Sequence, residues 1–330
     1  MTAATTNPAS AAAVGPVRLP AHLLDATVDE SALRRFLAGL PGVDPVGVEQ
    51  RSALLATRSL KRETKRAAID LAIAMVDLTT LEGADTPGKV RSLARKALLP
   101  DPEHPETPRT AAVCVYPDLA GVAVAELAGS GVKVAAVATA FPSGRADLSV
   151  KLADVQLAVG SGADEIDMVI DRGAFLAGRY GTVVEQIQAV KQACGGARLK
   201  VILETGELAT YDNVRRASWL ALLAGGDFIK TSTGKVSPAA TLPVTQVMLQ
   251  AVRDWYDQTG EQRGVKPAGG IRTTKDALRH LVAVREVAGP QWLDPYWFRF
   301  GASSVLNDLV MQRRAQREGH YSGARYVTVD

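Results

Sequence analysis

The stretches VKVAAVAT (residues 132–139), EIDMVI (165–170) and LKVILE (199–204) decide the fold class of this 330-residue chain. Each is a short, nearly continuous run of apolar and β-branched residues, which is typical of a strand buried on both faces. Segments with helical periodicity separate such runs, as where Val183 and Ile187 fall at i and i+4. The alternation predicts parallel strands connected by helices.

Five further runs extend the alternation in both directions along the chain. They are AIAMVD (72–77), AAVCVY (111–116), DFIKTS (227–232), GVKPAG (264–269) and WFRFGA (297–302). Successive runs begin 21 to 39 residues apart, which leaves room for a helix in each connection. Eight such units favour an α/β fold of the (β/α)8 or TIM-barrel type. An open doubly wound sheet is disfavoured because no GxGxxG motif follows the first run.

Helical additions are expected outside the barrel. Leu33, Phe36 and Leu40 share one helical face, and Thr273 followed by Asp276 predicts a capping box after the seventh strand. The predicted divisions are a flexible tail over residues 1–20, an N-terminal helical extension over 21–70, the barrel over 71–312 and a C-terminal tail over 313–330. Residues 1–20 lack the basic start and apolar core of a secretory signal.

The composition of the chain argues against several classes of function. The chain has 38 basic and 35 acidic residues, a net charge of +3, which does not indicate a nucleic-acid surface. Its two cysteines have no CxxC spacing, and no apolar run reaches the roughly 18 residues of a membrane span. We expect a cytoplasmic protein with reduced thiols, no metal, no cofactor, and neither a membrane nor a nucleic acid as partner.

Two lysines at the ends of neighbouring strands are the most informative polar residues. Lys230 and Lys266 belong to the sixth and seventh runs, and strands that pair in parallel lie about 4.8 Å apart. Two ammonium groups in one buried pocket repel each other, so the pKa of at least one should fall. A neutral lysine attacks carbonyls and forms a Schiff base. The structural alternative is that each lysine pairs with a carboxylate.

Other polar residues at the strand ends leave two interpretations open. Asp167 can stabilise a lysine and relay protons, or it can be a structural partner of Lys266 or Lys200. Asp77 and Glu204 can order the pocket or take part in the chemistry. Cys114 is more typical of a small buried apolar residue than of a nucleophile.

Glycine-rich loops after the last strands predict an anion site. Gly269 and Gly270 allow backbone N–H groups to approach a ligand, and the segment 301–304 (GASS), with Ser303 and Ser304, precedes an apolar stretch typical of a helix start. The loops after the seventh and eighth strands are the usual phosphate position in such barrels. Thr233, Gly234 and Lys235 add a hydroxyl and a cation. Together with the lysines, these loops indicate an aldolase or transaldolase acting on a sugar phosphate.

Six segments of the chain resemble the deoxyribose-phosphate aldolase family over roughly residues 70–305. They are FIKTSTGK (228–235), KPAGGIRT (266–273), LKVILETGEL (199–208), GADEIDMVI (162–170), VCVYP (113–117) and FRFGASS (298–304). The resemblance implies a class I aldolase, a lyase of deoxyribonucleotide catabolism. Such an enzyme cleaves 2-deoxy-D-ribose 5-phosphate reversibly to D-glyceraldehyde 3-phosphate and acetaldehyde without a metal.

The resemblance also implies roles for individual residues. Lys230 would form the Schiff base, Lys266 would depress its pKa, and Asp167 would join a proton relay. The substrate-holding and phosphate-binding positions would be Asp77, Cys114, Thr233, Gly234, Lys235, Gly269, Gly270, Ser303 and Ser304. The family commonly forms homodimers or homotetramers, so we expect a homo-oligomer.

The sequence departs from the family in three places. The extension through about residue 60 is absent from shorter members and resembles that of longer ones, and the chain ends in YVTVD where some members end in a tyrosine that folds over the active site. Val265 stands where phenylalanine is common, which predicts a looser wall beside Lys266. Three alternatives stay open: a Schiff-base aldolase for another sugar phosphate, a non-catalytic sugar-phosphate-binding barrel, and nucleic-acid binding through the basic residues 51–66.

Overall fold

Parallel strands pair side by side in the order β7-β6-β5-β4-β3-β2-β1-β8. In the computed structural model, which describes residues 19–320, eight strands are present: β1 Val76–Thr79, β2 Ala112–Val115, β3 Lys133–Ala138, β4 Glu165–Val169, β5 Arg198–Ile202, β6 Phe228–Lys230, β7 Gly264–Lys266 and β8 Phe300–Ala302. Parallel bridges Val265–Phe298 and Ala268–Gly301 join β7 to β8. The sheet therefore closes, and the predicted (β/α)8 TIM barrel is confirmed.

Helices precede the barrel and connect its strands. They are α1 Ala21–Asp25, α2 Glu30–Gly39, α3 Pro45–Thr57, α4 Arg62–Ala74, α5 Pro87–Leu98, α6 Pro117–Leu127, α7 Leu148–Gly160, α8 Arg172–Leu176, α9 Tyr180–Ala193, α10 Tyr211–Leu223, α11 Leu242–Thr259, α12 Thr274–Ala283 and α13 Ser304–Glu318. The capping box at the start of α12 is confirmed, since Thr273 and Asp276 each bond the other's backbone N–H. Among these described helices none combines the length and hydrophobicity that a bilayer crossing requires.

Two strands begin at least three residues later than the sequence runs that predicted them. Residues 72–74 of the first run form the end of α4, in which Ile69 and Ile73 face the core. A single apolar run therefore contains the end of a helix and the start of a strand. In the last run, β8 begins at residue 300, after 297–299. Periodicity could not separate these cases because short buried helical and extended segments are equally apolar.

The proposed domain limits fall inside helices at both ends of the barrel. Helix α4 crosses the limit at residue 70, and residues 313–318 of the proposed C-terminal tail are the last turns of α13. Those turns are held in place because buried Arg314 pairs with Asp101 of the α5–β2 loop. Residues 1–18 and 321–330, on which the two tail predictions largely fall, lie outside the described residues.

The extension is part of the main hydrophobic core. Leu23 and Leu33 are buried in the same cluster as the residues between the sheet and its surrounding helices. Polar contacts also hold it: the Glu30 carboxylate accepts from the N–H of Gly181, 2.6 Å away at the start of α9. Asp212 at the start of α10 accepts from the N–H of Val43, 2.7 Å away. The extension therefore lies along the second half of the barrel, where α2 packs on α9 and where α3 and α4 pack on α11, α12 and α13.

Candidate active site

A cavity of about 370 Å³ opens at the C-terminal ends of the strands. The loops after β1, β6, β7 and β8 form its wall, and Lys230 reaches it from below. In this fold the C-terminal face carries the chemistry, because eight loops converge there on a rigid barrel. The cavity is therefore the candidate active site.

Asp167 is the centre of a buried charge cluster under the cavity. Its Oδ2 accepts hydrogen bonds from Lys230 Nζ at 2.7 Å and from Lys266 Nζ at 2.8 Å. Its Oδ1 accepts from Lys200 Nζ at 3.0 Å. These contacts form because Lys230 and Lys266 are direct partners across β6 and β7, and Asp167 and Lys200 across β4 and β5. The ion pairs of Asp167 with Lys200 and Lys266, the structural alternative, are thus present together with the pair to Lys230.

A second layer of charge lies deeper in the barrel. Arg299 Nη1 donates to Asp77 Oδ1 at 2.6 Å, and Arg299 Nη2 donates to Glu165 Oε1 at 3.0 Å. Asp77 Oδ2 is also 2.6 Å from Lys266 Nζ, and Glu165 is paired with Lys200. Asp77 is therefore buried below the cavity, where it holds Lys266, and does not line the cavity wall.

The two layers together hold four cations and three carboxylates: Lys200, Lys230, Lys266, Arg299, Asp77, Glu165 and Asp167. Uncompensated charge is costly in a buried site, so the cluster is electrically balanced when one cation loses its proton. Of the four cations, Lys230 is the one that lines the cavity and the one with a single carboxylate partner. The charge balance therefore favours a neutral Lys230.

The shifts in pKa follow the same arrangement. Burial and the charge of Lys266 lower the pKa of Lys230, although Asp167 opposes the change. For Lys266, burial alone would lower the pKa, but Asp167 and Asp77 outweigh it and raise the pKa. The pKa of Asp167 lies well below its usual range, because Lys200, Lys230 and Lys266 overcome the effect of burial. Lys266 therefore stays an ammonium beside a Lys230 that loses its proton more easily.

The loop after β7 follows a path that favours glycine. Gly269 and Gly270 have positive φ values of 75° and 82°, a conformation that side chains disfavour. A Cβ on Gly269 would lie 2.8 Å from the Cβ of Ala239, so the loop could not take this path with a larger residue. Ser303 and Ser304 line the cavity at the start of α13, where the Ser303 side chain caps no backbone N–H.

The loop after β6 completes the cavity wall. Thr233 is bound to buried Glu204, whose Oε2 accepts from Thr233 Oγ1 at 2.5 Å. Lys235 Nζ is 2.8 Å from Glu82 Oε1 in the loop after β1. Gly234 lines the cavity with a φ of 81°. Glu204 therefore orders the loop, which was one of the two interpretations open for it.

Cys114 is a buried apolar neighbour of the site. It packs with Leu81, Ala135 and Val137 inside the barrel, and it is not among the described residues that line the cavity. Burial, with the charge of Asp167 next, raises the pKa of its thiol. The arrangement does not activate this cysteine as a nucleophile.

The expectation that Val265 loosens the wall beside Lys266 is wrong. Successive side chains on a strand face opposite sides, and Lys266 faces the barrel interior. Val265 therefore faces outward, and it is fully buried in the core between the sheet and the helices.

Glu82, Glu165 and Arg299 were not predicted as site residues, whereas Gly301 was part of the predicted anion-binding segment 301–304. Glu165 could have been found, since it stands two residues before Asp167 on one strand and so shares its face. Gly301 is required because a Cβ there would lie 2.7 Å from Ala268 Cβ and 3.0 Å from Lys266 Cε. Residues 19–320 contain no group of three or more His, Cys, Asp or Glu side chains that could hold a metal ion.

A family model described as DeoC/LacD family aldolase matches residues 71–310 of this chain. The chain belongs to that family. It is 42% identical over 314 residues to a deoxyribose-phosphate aldolase of Homo sapiens, with 92% of this chain and 98% of that protein covered. It is 42% identical over 255 residues to the deoxyribose-phosphate aldolase of Agrobacterium fabrum, with 77% and 94% covered. The predicted enzyme class, a class I aldolase and so a carbon–carbon lyase, is confirmed.

Solved structures of aldolases are similar to this chain. A deoxyribose phosphate aldolase from Aeropyrum pernix, described as a unique tetramer, is 26% identical, with a TM-score of 0.56 over 82% of this chain and 99% of that chain. A protein described as QR15, an aldolase, is also 26% identical, with a TM-score of 0.62 over 76% of this chain and 99% of that chain.

Proposed function

We propose that the protein is a deoxyribose-phosphate aldolase that cleaves 2-deoxy-D-ribose 5-phosphate to D-glyceraldehyde 3-phosphate and acetaldehyde through a Schiff base on Lys230. The observation that carries the proposal is the charge cluster, which is balanced when Lys230 is neutral and which presents that one amine to the cavity. The relatives named above support the choice of substrate.

The proposed reaction begins when the neutral Lys230 Nζ attacks the aldehyde carbon of the open-chain sugar. Loss of water gives a protonated imine, which withdraws electrons from the bond between C2 and C3. Removal of the proton from the C3 hydroxyl then breaks that bond, releases glyceraldehyde 3-phosphate and leaves an enamine of acetaldehyde. Protonation of the enamine at C2 and hydrolysis of the imine restore Lys230 and release acetaldehyde.

Asp167 and Lys266 support these steps without bonding to the carbon skeleton. Asp167 Oδ2 contacts both Nζ atoms, at 2.7 and 2.8 Å, so it can hold a proton relay together through a water molecule. Lys266 is held as an ammonium by Asp167 and Asp77, and its charge favours the neutral form of Lys230. Schiff-base formation needs that neutral form.

The phosphate is proposed to bind at the cavity wall that lies opposite Lys230. Gly269, Gly270, Ser303 and Ser304 offer backbone N–H groups and hydroxyls there, and Lys235 offers a charge. These groups lie on the loops after β6, β7 and β8, so the phosphate would fix the sugar with its aldehyde end toward Lys230.

The wider role is proposed from the same relatives. The enzyme would act in deoxyribonucleotide catabolism in the cytoplasm as a homodimer or homotetramer, with no partner beyond the sugar phosphate and acetaldehyde. A tetrameric relative supports the oligomer. The apolar residues of the extension suggest an interface, although Leu33 is already buried within the chain and Phe36 packs against its core.

A cleavage assay on purified full-length protein tests the proposal. We expect 2-deoxy-D-ribose 5-phosphate to yield glyceraldehyde 3-phosphate and acetaldehyde, and Lys230→Arg to lose at least about 1,000-fold in kcat/KM, because a guanidinium cannot form the imine. Lys133→Arg, at the half-exposed ion pair with Asp164, is the matched control and should keep full activity. A folded wild-type protein that cleaves another sugar phosphate but not this one would overturn the proposal.

A further inference from the structure

An ion pair crosses the mouth of the cavity between two loops that are distant in sequence. Glu82 stands in the loop between β1 and α5, Lys235 in the loop between β6 and α11, and Lys235 Nζ lies 2.8 Å from Glu82 Oε1. Both residues line the cavity. The lysine that was predicted to hold the phosphate is therefore bound to a carboxylate of the same chain.

The backbone on the Glu82 side is fixed by a buried acid. Asp85 has a side chain only 1% exposed. Its carboxylate accepts from Thr80 Oγ1 at 2.8 Å and from the N–H of Glu82 at 2.9 Å, and it pairs with Lys89 Nζ at 2.8 Å. This network holds the loop, so the carboxylate of Glu82 is directed across the cavity from an ordered backbone.

The backbone on the Lys235 side is fixed as well. The N–H of Lys235 donates to Thr233 Oγ1 at 3.1 Å, and Thr233 is itself bound to Glu204. The two side chains that meet are nevertheless partly exposed, 33% for Lys235 and 65% for Glu82. The pair can separate at small cost, because exposed ion pairs contribute little stability.

We propose that Glu82 moderates the preference of the site for phosphorylated substrates, because its carboxylate occupies Lys235 as an internal competitor of the substrate phosphate. The inference rests on the proposed function, since it assumes that a phosphate binds at this wall. A phosphate dianion carries twice the charge of the carboxylate and can also accept from the glycine and serine N–H groups, so it displaces Glu82. A neutral sugar terminus offers Lys235 no counter-charge and leaves the pair closed.

Calorimetric titration of inorganic phosphate into the full-length protein at low salt tests the proposal. We expect Glu82→Gln to bind phosphate roughly three- to tenfold more tightly, because the competitor for Lys235 is gone. The KM for 2-deoxy-D-ribose 5-phosphate should fall in parallel, while the KM for unphosphorylated 2-deoxy-D-ribose stays the same. Glu63→Gln removes a carboxylate that is more exposed than that of Glu82 from the pair with Arg66, and it should change neither the phosphate affinity nor the KM for 2-deoxy-D-ribose 5-phosphate.

A double-mutant cycle separates competition from simple repulsion. If Glu82 acts through Lys235, the gain from Glu82→Gln should disappear in a Lys235→Met background. An equal gain in both backgrounds, or unchanged phosphate affinity in Glu82→Gln, would overturn the inference and leave the proposed function intact. Absence of phosphate binding by wild type and every variant would instead overturn the phosphate site of the proposed function, and this inference with it.

Discussion

Replacement of Lys266 by methionine tests how the barrel controls Lys230. The change removes one cation and keeps most of the buried volume, because both side chains are unbranched and similar in length. Three cations then face three carboxylates, so the cluster is balanced with Lys230 protonated. We therefore expect the pKa of Lys230 to rise in the variant.

The size of the effect follows from the distance between the two ammonium groups. Lys230 Nζ and Lys266 Nζ lie 2.7 and 2.8 Å from the same oxygen of Asp167, so they are at most about 5.5 Å apart. At an effective dielectric constant of about 20, two unit charges at that distance repel by about 3 kcal/mol. Loss of this repulsion reduces the neutral fraction of Lys230 near pH 7 roughly 100-fold.

The assay is the rate at which Lys230 is alkylated by acetaldehyde and cyanoborohydride, followed by mass spectrometry across a pH series. This rate depends on the neutral amine and not on later proton transfers, in which Lys266 also takes part. Lys266→Met should shift the rate profile to higher pH, and circular dichroism should show an unchanged fold. An unshifted profile in a folded variant would refute the reasoning, because burial alone would then account for the lowered pKa of Lys230.

Three further changes test separate parts of the site. Gly301→Ala should lower kcat at least about tenfold and destabilise the fold by about 1–3 kcal/mol, because the new Cβ would lie 3.0 Å from Lys266 Cε. A variant with the kcat of the wild type and unchanged stability to urea would contradict this close contact. Arg299→Met should reduce the free energy of unfolding by about 3–5 kcal/mol, because it removes the guanidinium that donates to the buried carboxylates of Asp77 and Glu165, and a loss below about 1 kcal/mol in chemical denaturation would argue against it. Ser303→Glu should raise the KM for 2-deoxy-D-ribose 5-phosphate roughly 10- to 100-fold with little change in kcat, and an unchanged KM would remove Ser303 from the phosphate site.

The barrel was predictable because each strand is buried on both faces. Runs such as VKVAAVAT (132–139) consist almost entirely of apolar and β-branched residues, and their spacing admits one helix per connection. Lys230 and Lys266 could be placed together for a related reason: the ends of neighbouring parallel strands meet at one face, and the two residues are direct partners across β6 and β7. Local pattern and general topology were sufficient for both.

Contacts across the barrel could not be predicted in the same way. Arg299 reaches Glu165 on a strand that is not its neighbour, and this depends on the width of the closed barrel and on the path of one long side chain. The Glu82–Lys235 pair joins loops whose shapes no periodic signal describes. The course of the extension over α9 to α13 depends on tertiary docking, of which the sequence shows only apolar faces such as that of Leu33.

Reductive trapping tests the central claim of the account most directly. The full-length protein is incubated with 2-deoxy-D-ribose 5-phosphate or acetaldehyde, reduced with borohydride, digested and mapped by mass spectrometry. The account predicts a stable adduct on Lys230, and none on that peptide in Lys230→Arg. A folded protein that gives no adduct, or gives one on Lys266 with Lys230 unmodified, would contradict it.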